Sequence, residues 1–466
     1  MRRRIIVITY AFIIVFLILA VQEARIQIVD RAAIQQHAGD PRRAQSLAHR
    51  GELLDATGLP LAQTKGSRRI YSAGPALAHV VGYSSSVYGE SGLESSLDSI
   101  LSPRDPSSDQ FAALGSLFSQ RRQQPKPAGG KVILTLRRDI AQAVDQALPA
   151  NVRGAAVVLD PRTGAVLAAV NRPTFNPNRL AADWSKLRSR ADSPLLDRCF
   201  DGLYPPGSTF KMLTASAALD SGTFTVDDGF RDPGYFTIGN FTVHNAEGEA
   251  TGYQTLVGAF AHSSNVDFAQ IGVKLGVDMF YQYLHRFKVG DDAALSLPVS
   301  RDEIPAANSV TDGELAQMAF GQGSLAVTPL RMALIAATIA NGGSLMRPLI
   351  VKEIQPAGRP PIRTVPVNWG TPISKPTADA VRDMMIDVVR YGTGTAAGLT
   401  NVIVAGKTGT ATHPGGAPDA WFVCFAPARA PRLVVAVIIE DAGYGGVAAA
   451  PIARNILAAA LPLYAQ

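Results

Sequence analysis

The stretch GAAVVLDPRTGAVLAAV, residues 154–170, decides the fold. Residues 154–160 and 165–170 are two β-rich runs. The Pro161-Arg162-Thr163-Gly164 between them has proline early and glycine late, a hairpin signal. Three more apolar runs of strand length stand far downstream, at 401–405, 421–426 and 433–440, and residues 448–461 read as a closing helix. The middle is helix-rich, including 210–219, 255–275 and 330–340. Two strands from the start and three from the end, with helices between and after, predict one sheet built from both ends of this unit. That is an α+β sandwich of helix, sheet and helix.

Upstream of the hairpin, residues 131–136 (KVILTL) alternate like a strand and 138–148 read as a short helix. Residues 102–130 are rich in Ser, Gln, Arg and Pro and end in Pro125-Lys126-Pro127-Ala128-Gly129-Gly130, a linker composition. Residues 46–100 mix short strand-like pieces with turns such as Asp55-Ala56-Thr57-Gly58, and 23–45 read as polar helix. At the terminus, Arg2, Arg3 and Arg4 precede an unbroken apolar run, residues 5–21. At ~1.5 Å per residue this run reaches about 25 Å, near the lower limit for a membrane span. The arginines hold the terminus in the cytoplasm and leave the remaining chain outside it. A cleaved signal peptide is the alternative, against which stand the length of the run and the flank Gln22-Glu23-Ala24-Arg25. The expected organisation is an anchor at 1–22, an N-terminal unit with its linker at 23–130, and a larger unit at 131–466.

Apolar residues make up 47% of the 466-residue chain and charged residues 18%, which sets aside disorder and allows two or three cored domains. The net charge of +6 suits an anionic lipid or polymer nearby. No basic block follows the first residues and no aromatic–basic interleaving occurs, so nucleic acid is not an expected partner. Cys199 and Cys424 are too few for a metal site or a disulfide framework; buried free thiols are expected, with pairing in an oxidising compartment as the alternative.

Three short motifs carry chemistry. In Pro205-Pro206-Gly207-Ser208-Thr209-Phe210-Lys211, the Pro-Pro-Gly stops the preceding structure, so Ser208 is expected at a helix N-terminus, where free N–H groups favour negative charge. Lys211, three residues on, shares its face and can take the hydroxyl proton if its pKa is lowered. Ser263-Ser264-Asn265 is expected inside an apolar helical stretch, residues 260–275. Ser263 can relay a proton, and Asn265 can hold a substrate amide or the lysine. Lys407-Thr408-Gly409-Thr410 follows a strand-like run; Lys407 can attract a carboxylate, Gly409 lets a substrate backbone approach the edge, and Thr410 adds a hydroxyl and an N–H. Each motif alone also reads as a helix cap, a surface triplet or a strand ending in a polar turn. Together they are more specific. Of the chain's ten lysines only Lys211 has a serine three positions before it, and Asn265 is the only asparagine with a serine two positions before it. The order S-x-x-K, S-x-N, K-T-G is the set found in penicillin-binding proteins and serine β-lactamases.

The chain resembles the class B penicillin-binding proteins, the monofunctional peptidoglycan transpeptidases. Beyond the motifs, Arg50-Gly51-Glu52-Leu53-Leu54-Asp55 with Gly58, Leu61 and Ala62 resembles the family's R-G segment, with Leu54 and Ala56 where the family often has Ile-type and Arg residues. Ser91-Gly92-Leu93-Glu94 resembles its G-L-E segment, and 159–168, 321–329, 340–343 and 388–394 resemble others. The chain is similar to short actinobacterial-type members. The resemblance implies a transpeptidase domain with an elongated N-terminal pedestal and one transmembrane helix in the cytoplasmic membrane, the catalytic domain on the extracytoplasmic side. It implies acyl transfer from D-Ala-D-Ala stem peptides: Ser208 as nucleophile, Lys211 as base, Ser263 and Asn265 assisting, the N–H groups of Ser208 and Thr410 as oxyanion hole, and Lys407, Thr408, Gly409 and Thr410 holding the substrate. It implies β-lactams as inhibitors, no metal or organic cofactor, and a polytopic membrane glycosyltransferase as partner. The seven histidines show no H-E-x-x-H spacing, and His413 is expected on the rim. The stretch before residue 150 is short for a glycosyltransferase domain, against a bifunctional class A enzyme. Two rivals remain: a carboxypeptidase or β-lactamase with water as acceptor, and a non-enzymatic β-lactam sensor, which ordinarily has several spans.

Overall fold

The computed structural model describes residues 49–66, 68–103 and 128–464. The expected anchor, the polar helix at 23–45 and most of the linker lie outside the described residues. In the N-terminal unit, β1 (Leu53–Leu54), β2 (Pro60–Lys65) and β3 (Arg68–Tyr71) form an antiparallel run, and β4 (Lys131–Leu134) pairs parallel to β1. The turn between β1 and β2 follows from its sequence. Asp55 Oδ1 accepts the N–H groups of Thr57 (2.8 Å) and Leu59 (2.9 Å), and Gly58 takes φ +89°. Two strands from far downstream, Val351–Gln355 and Ile362–Arg363, complete a six-stranded sheet on the other side of β4. Sequence reading gave no sign of this return, because short amphipathic strands reveal no partner.

The larger unit begins with α1 (Arg138–Ala147), followed by β5 (Gly154–Leu159) and β6 (Val166–Arg172). The helical middle contains α2 (Lys211–Asp220), α3 (Leu256–Ala261), α4 (Asn265–Arg286), α5 (Pro329–Ala340) and α6 (Lys375–Arg390). Then come β7 (Ala405–Ala411), β8 (Asp419–Ala426), β9 (Leu433–Ile439) and α7 (Gly445–Leu463). The sheet runs β7–β8–β9–β5–β6, antiparallel throughout, as the two-plus-three reading requires. Every residue of β5, β6, β8 and β9 is buried, which an antiparallel sheet shows only when both faces are covered. α1 and α7 pack on one side, and α5 packs against β5, β8 and β9 on the other. α7 is apolar and long enough to cross a membrane by length and composition, yet it packs along the sheet.

Two expected elements differ. The strand expected at 401–405 begins instead at Ala405 and is the K-T-G run itself. Ile403 is exposed, and its carbonyl accepts the Ala428 N–H, so the apolar residues before β7 form a loop. The helix expected over 255–275 is broken: Gly252–Thr255 is a strand, α3 ends at Ala261 and α4 starts at Asn265. Cys199 and Cys424 are buried and free.

Candidate active site

Ser208 lies in a single 3-10 turn, Gly207–Phe210, that leads into α2, not in the first turn of the α-helix itself. The turn is gripped on two sides. Gly207 N–H donates to Gly321 O (2.9 Å), Tyr204 and Val327 exchange backbone hydrogen bonds, and Trp421 Nε1 donates to Pro205 O (3.1 Å). On the other side lies β7, the edge strand. A Cβ at Gly207, whose φ is +52°, would stand 2.7 Å from Thr410 O. A Cβ at Gly409 would stand 2.9 Å from both Pro206 O and Thr209 Cγ2. These two glycines let the serine turn lie on the edge strand; Gly409 is thus required by the protein's own packing. Ser208 is half-buried, and its hydroxyl has no hydrogen bond among the described residues.

Ser263 occupies the break between α3 and α4 with φ +65°, a region that non-glycine residues seldom adopt. This backbone turns both its carbonyl and its hydroxyl toward two lysines. Lys211 Nζ donates to Ser263 O (2.6 Å), Ser263 Oγ (3.3 Å) and Asn265 Oδ1 (2.8 Å). Lys407 Nζ donates to Ser263 Oγ at 2.8 Å. Both lysines are 0% exposed, and among the described residues neither meets a carboxylate within ion-pair distance. The ring faces of Phe268 and Phe260 stand 5.3 and 5.5 Å from their nitrogens.

Burial without counter-charge lowers both pKa values. Lys407 is brought down to about 7 by burial. Lys211 is held well below the ordinary lysine range by burial and by the charge of Lys407, against the opposing pull of Asp267 and Asp232. Both shifts favour the neutral amine, and at Lys211 the charge of Lys407 adds to the effect of burial.

The remaining residues lie along β7. Thr408 is buried, with its Oγ1 2.6 Å from Thr393 Oγ1, and Thr410 Oγ1 accepts the Gly445 N–H at 3.4 Å. Beyond them Thr412 Oγ1 donates to Gln322 Oε1 (3.2 Å), linking β7 to the segment that grips the serine turn. His413 faces Asp419 and Asp441 at 3.4 and 3.3 Å. The three motifs thus meet around Ser263 and β7. Sequence reasoning missed Thr393, which touches Thr408, and Asn245, whose Oδ1 accepts the N–H of Asn265 (2.8 Å).

Residues 154–458 match the penicillin binding protein transpeptidase domain, and residues 50–128 the penicillin binding protein A dimerisation domain. The chain belongs to the penicillin-binding protein transpeptidase family. Among the relatives of this penicillin-binding protein is the peptidoglycan D,D-transpeptidase PbpA of Mycolicibacterium smegmatis, 35% identical over 422 residues, 84% of each chain. The D,D-transpeptidase domain of the Eggerthella lenta peptidoglycan glycosyltransferase superposes with a TM-score of 0.79 at 36% identity, over 90% of this chain and 99% of that one. Penicillin-binding protein A of Mycobacterium tuberculosis, solved as a ceftriaxone acyl-enzyme, gives 0.80 at 30% identity, over 90% of this chain and 100% of that one.

Proposed function

We propose that this penicillin-binding protein is a peptidoglycan D,D-transpeptidase working through a Ser208 acyl-enzyme. The observation that carries the proposal is the convergence on Ser263 Oγ of two buried lysines with no carboxylate partner among the described residues, Lys211 being one turn from the half-buried Ser208 beside the edge strand β7. Neutral Lys211 takes the Ser208 proton as Oγ attacks the penultimate carbonyl of a D-Ala-D-Ala stem. The serine hydroxyl meets the amine on substrate binding, when catalytic hydrogen bonds that are long in unliganded enzymes tighten. Backbone N–H groups of Ser208 and Thr410 receive the oxyanion, each contributing about 2.7–4 kcal/mol. Ser263, with Asn265 holding Lys211, relays the proton from Lys211 to the departing D-Ala nitrogen as the peptide bond breaks. The amine of a second stem then attacks the ester, and the same groups return the proton to Ser208. Lys407, Thr408 and Thr410 hold the donor's terminal carboxylate, and β-lactams enter as mimics of that donor.

In this reading residues 1–22 anchor the enzyme in the cytoplasmic membrane, with the catalytic unit on the extracytoplasmic side. Residues 23–130 form the pedestal, whose sheet also takes in β4 and the strands at 351–355 and 362–363, and the remainder of 131–466 forms the catalytic unit. A polytopic membrane glycosyltransferase supplies the glycan strands. The arginine-flanked apolar run and the family membership support this arrangement.

The test is to supply a peptide donor ending in D-Ala-D-Ala together with an amine acceptor. D-Ala release with an acceptor-linked product is expected. D-Ala release with only the hydrolysed peptide would replace the transpeptidase by a carboxypeptidase. No release by a folded enzyme would overturn the proposal.

A further inference from the structure

Behind the Ser263-Ser264-Asn265 segment lies a polar cluster that the mechanism above does not use. Asp232, the last residue of the strand Gly229–Asp232, is 0% exposed. Its Oδ1 accepts the Gly234 N–H (2.8 Å); its Oδ2 accepts Asn245 Nδ2 (2.6 Å), Thr251 Oγ1 (2.6 Å) and Ser264 Oγ (2.9 Å). Burial alone would raise this carboxyl, but the four donors hold it below the ordinary range. Two of them face α4. Asn245 Oδ1 accepts the N–H groups of Asn265 (2.8 Å) and Val266 (3.1 Å), and Ser264 Oγ accepts that of Asp267 (3.0 Å). These N–H groups open the helix and have no partner within it.

The polarity of the cluster comes from the carboxylate, which only accepts. Ser264 has one hydroxyl proton, whose shorter contact is to Asp232 (2.9 Å, against 3.4 Å to Asn245 Oδ1), leaving its lone pairs to the helix. The Asn245 amide has its NH2 on Asp232, so its oxygen faces the helix. A neutral group at 232 would allow either dipole to reverse. The residue next to this clamp is Ser263, whose left-handed backbone persists only where its surroundings fix it.

We propose that Asp232 and Asn245 are positioning residues: by orienting the caps of α4 they hold Ser263 and Asn265 in contact with Lys211. The proposal rests on the transpeptidase reading. Its test measures, in the full-length protein, the rate of acylation by a fluorescent penicillin across pH for wild type, Asn245→Ala, Asn245→Asp, Asp232→Asn and the double variant D232N/N245D. Asn245 is only partly buried, so its variants fold even if Asp232→Asn does not. Asn245→Ala is expected to slow acylation at least tenfold, with the label still on Ser208. The acid limb of its pH profile should also move, because Lys211 (whose charged neighbours are Lys407, Asp267 and Asp232) loses its fixed partners. Asn245→Asp sets two carboxylates against each other and slows the reaction too. The double variant recovers part of the rate over N245D, because the amide introduced at 232 donates to the carboxylate introduced at 245.

A purely structural role would change the amount of active protein but neither its rate constant nor its pH profile. Folded Asn245→Ala with a rate within twofold of wild type and an unmoved profile overturns the positioning role, as does a double variant no faster than N245D. Those results leave the transpeptidase reading intact as long as wild type is labelled on Ser208. An unlabelled wild type removes both.

Discussion

In the pedestal, Arg50 and Arg69 are buried against carboxylates; in the active site, Lys211 and Lys407 are buried against one hydroxyl, an amide and two backbone carbonyls. Glu94, 0% exposed, gives one oxygen to Arg50 Nε (2.6 Å) and the other to Arg69 Nε (2.7 Å), and Arg50 Nη1 also meets Asp98 at 2.5 Å. Burial alone would lower the Arg50 pKa, but Glu94, Glu90 and Asp98 more than offset it and raise it. These ion pairs tie the segment at residue 50 to the helix at residue 94. The two lysines have no such partner among the described residues, so burial drives them toward the neutral form. The same cost of burying charge is cancelled in one region to hold the chain together and left standing in the other to move protons.

The largest effect that can break this contrast comes from Lys211→Met. Acylation by penicillin should fall by about 10²–10⁴-fold or more, the worth of a general base. Thermal melting should show no loss and can show a gain, since an uncompensated buried amine is replaced by an apolar chain. Retained acylation would mean that Lys211 is as structural as Arg50. The converse substitution is Glu94→Gln, which strips the counter-charge from two buried arginines. It should cost about 3–5 kcal/mol in denaturant unfolding, while the fraction that remains folded is acylated at the wild-type rate. A changed acylation rate in that fraction would show that the two regions are not separate in role.

The smallest expected effect concerns pH. Lys211 is lowered, so the neutral base is lost as pH falls through its own depressed pKa. Lys407, at about 7, loses its charge as pH rises above that value, and capture of a carboxylate-bearing donor weakens. The kcat/KM of wild type should therefore be bell-shaped. Lys407→Arg keeps its charge at every working pH, so its alkaline limb should shift upward, with some rate lost to the larger guanidinium. An unmoved alkaline limb would assign that titration to another group.

Much of this was legible in the sequence because the motifs are short and local. The spacing of Ser208 and Lys211, the Ser263–Asn265 triplet and the K-T-G run each announce a chemistry in a few residues. Arg50 and Glu94 came from two separate resembling segments, and the structure joins them. What was hidden is what the chain brings from a distance. Asp232 and Asn245 sit on short strands and turns with no periodicity to mark their contact with α4. The break at Ser263 carries neither glycine nor proline, so an apolar run from 255 to 275 reads as one helix. The edge strand was placed on the apolar residues before it. A strand covered by the serine turn can be polar, and Gly409 is small because that turn needs the room.

The most direct test is to label the full-length protein with a fluorescent penicillin and map the adduct by mass spectrometry, beside Ser208→Ala. The predicted result is one stable adduct on Ser208 that disappears in the variant. An adduct on another residue such as Ser263, or none on a folded wild type, would contradict the acyl-enzyme at Ser208.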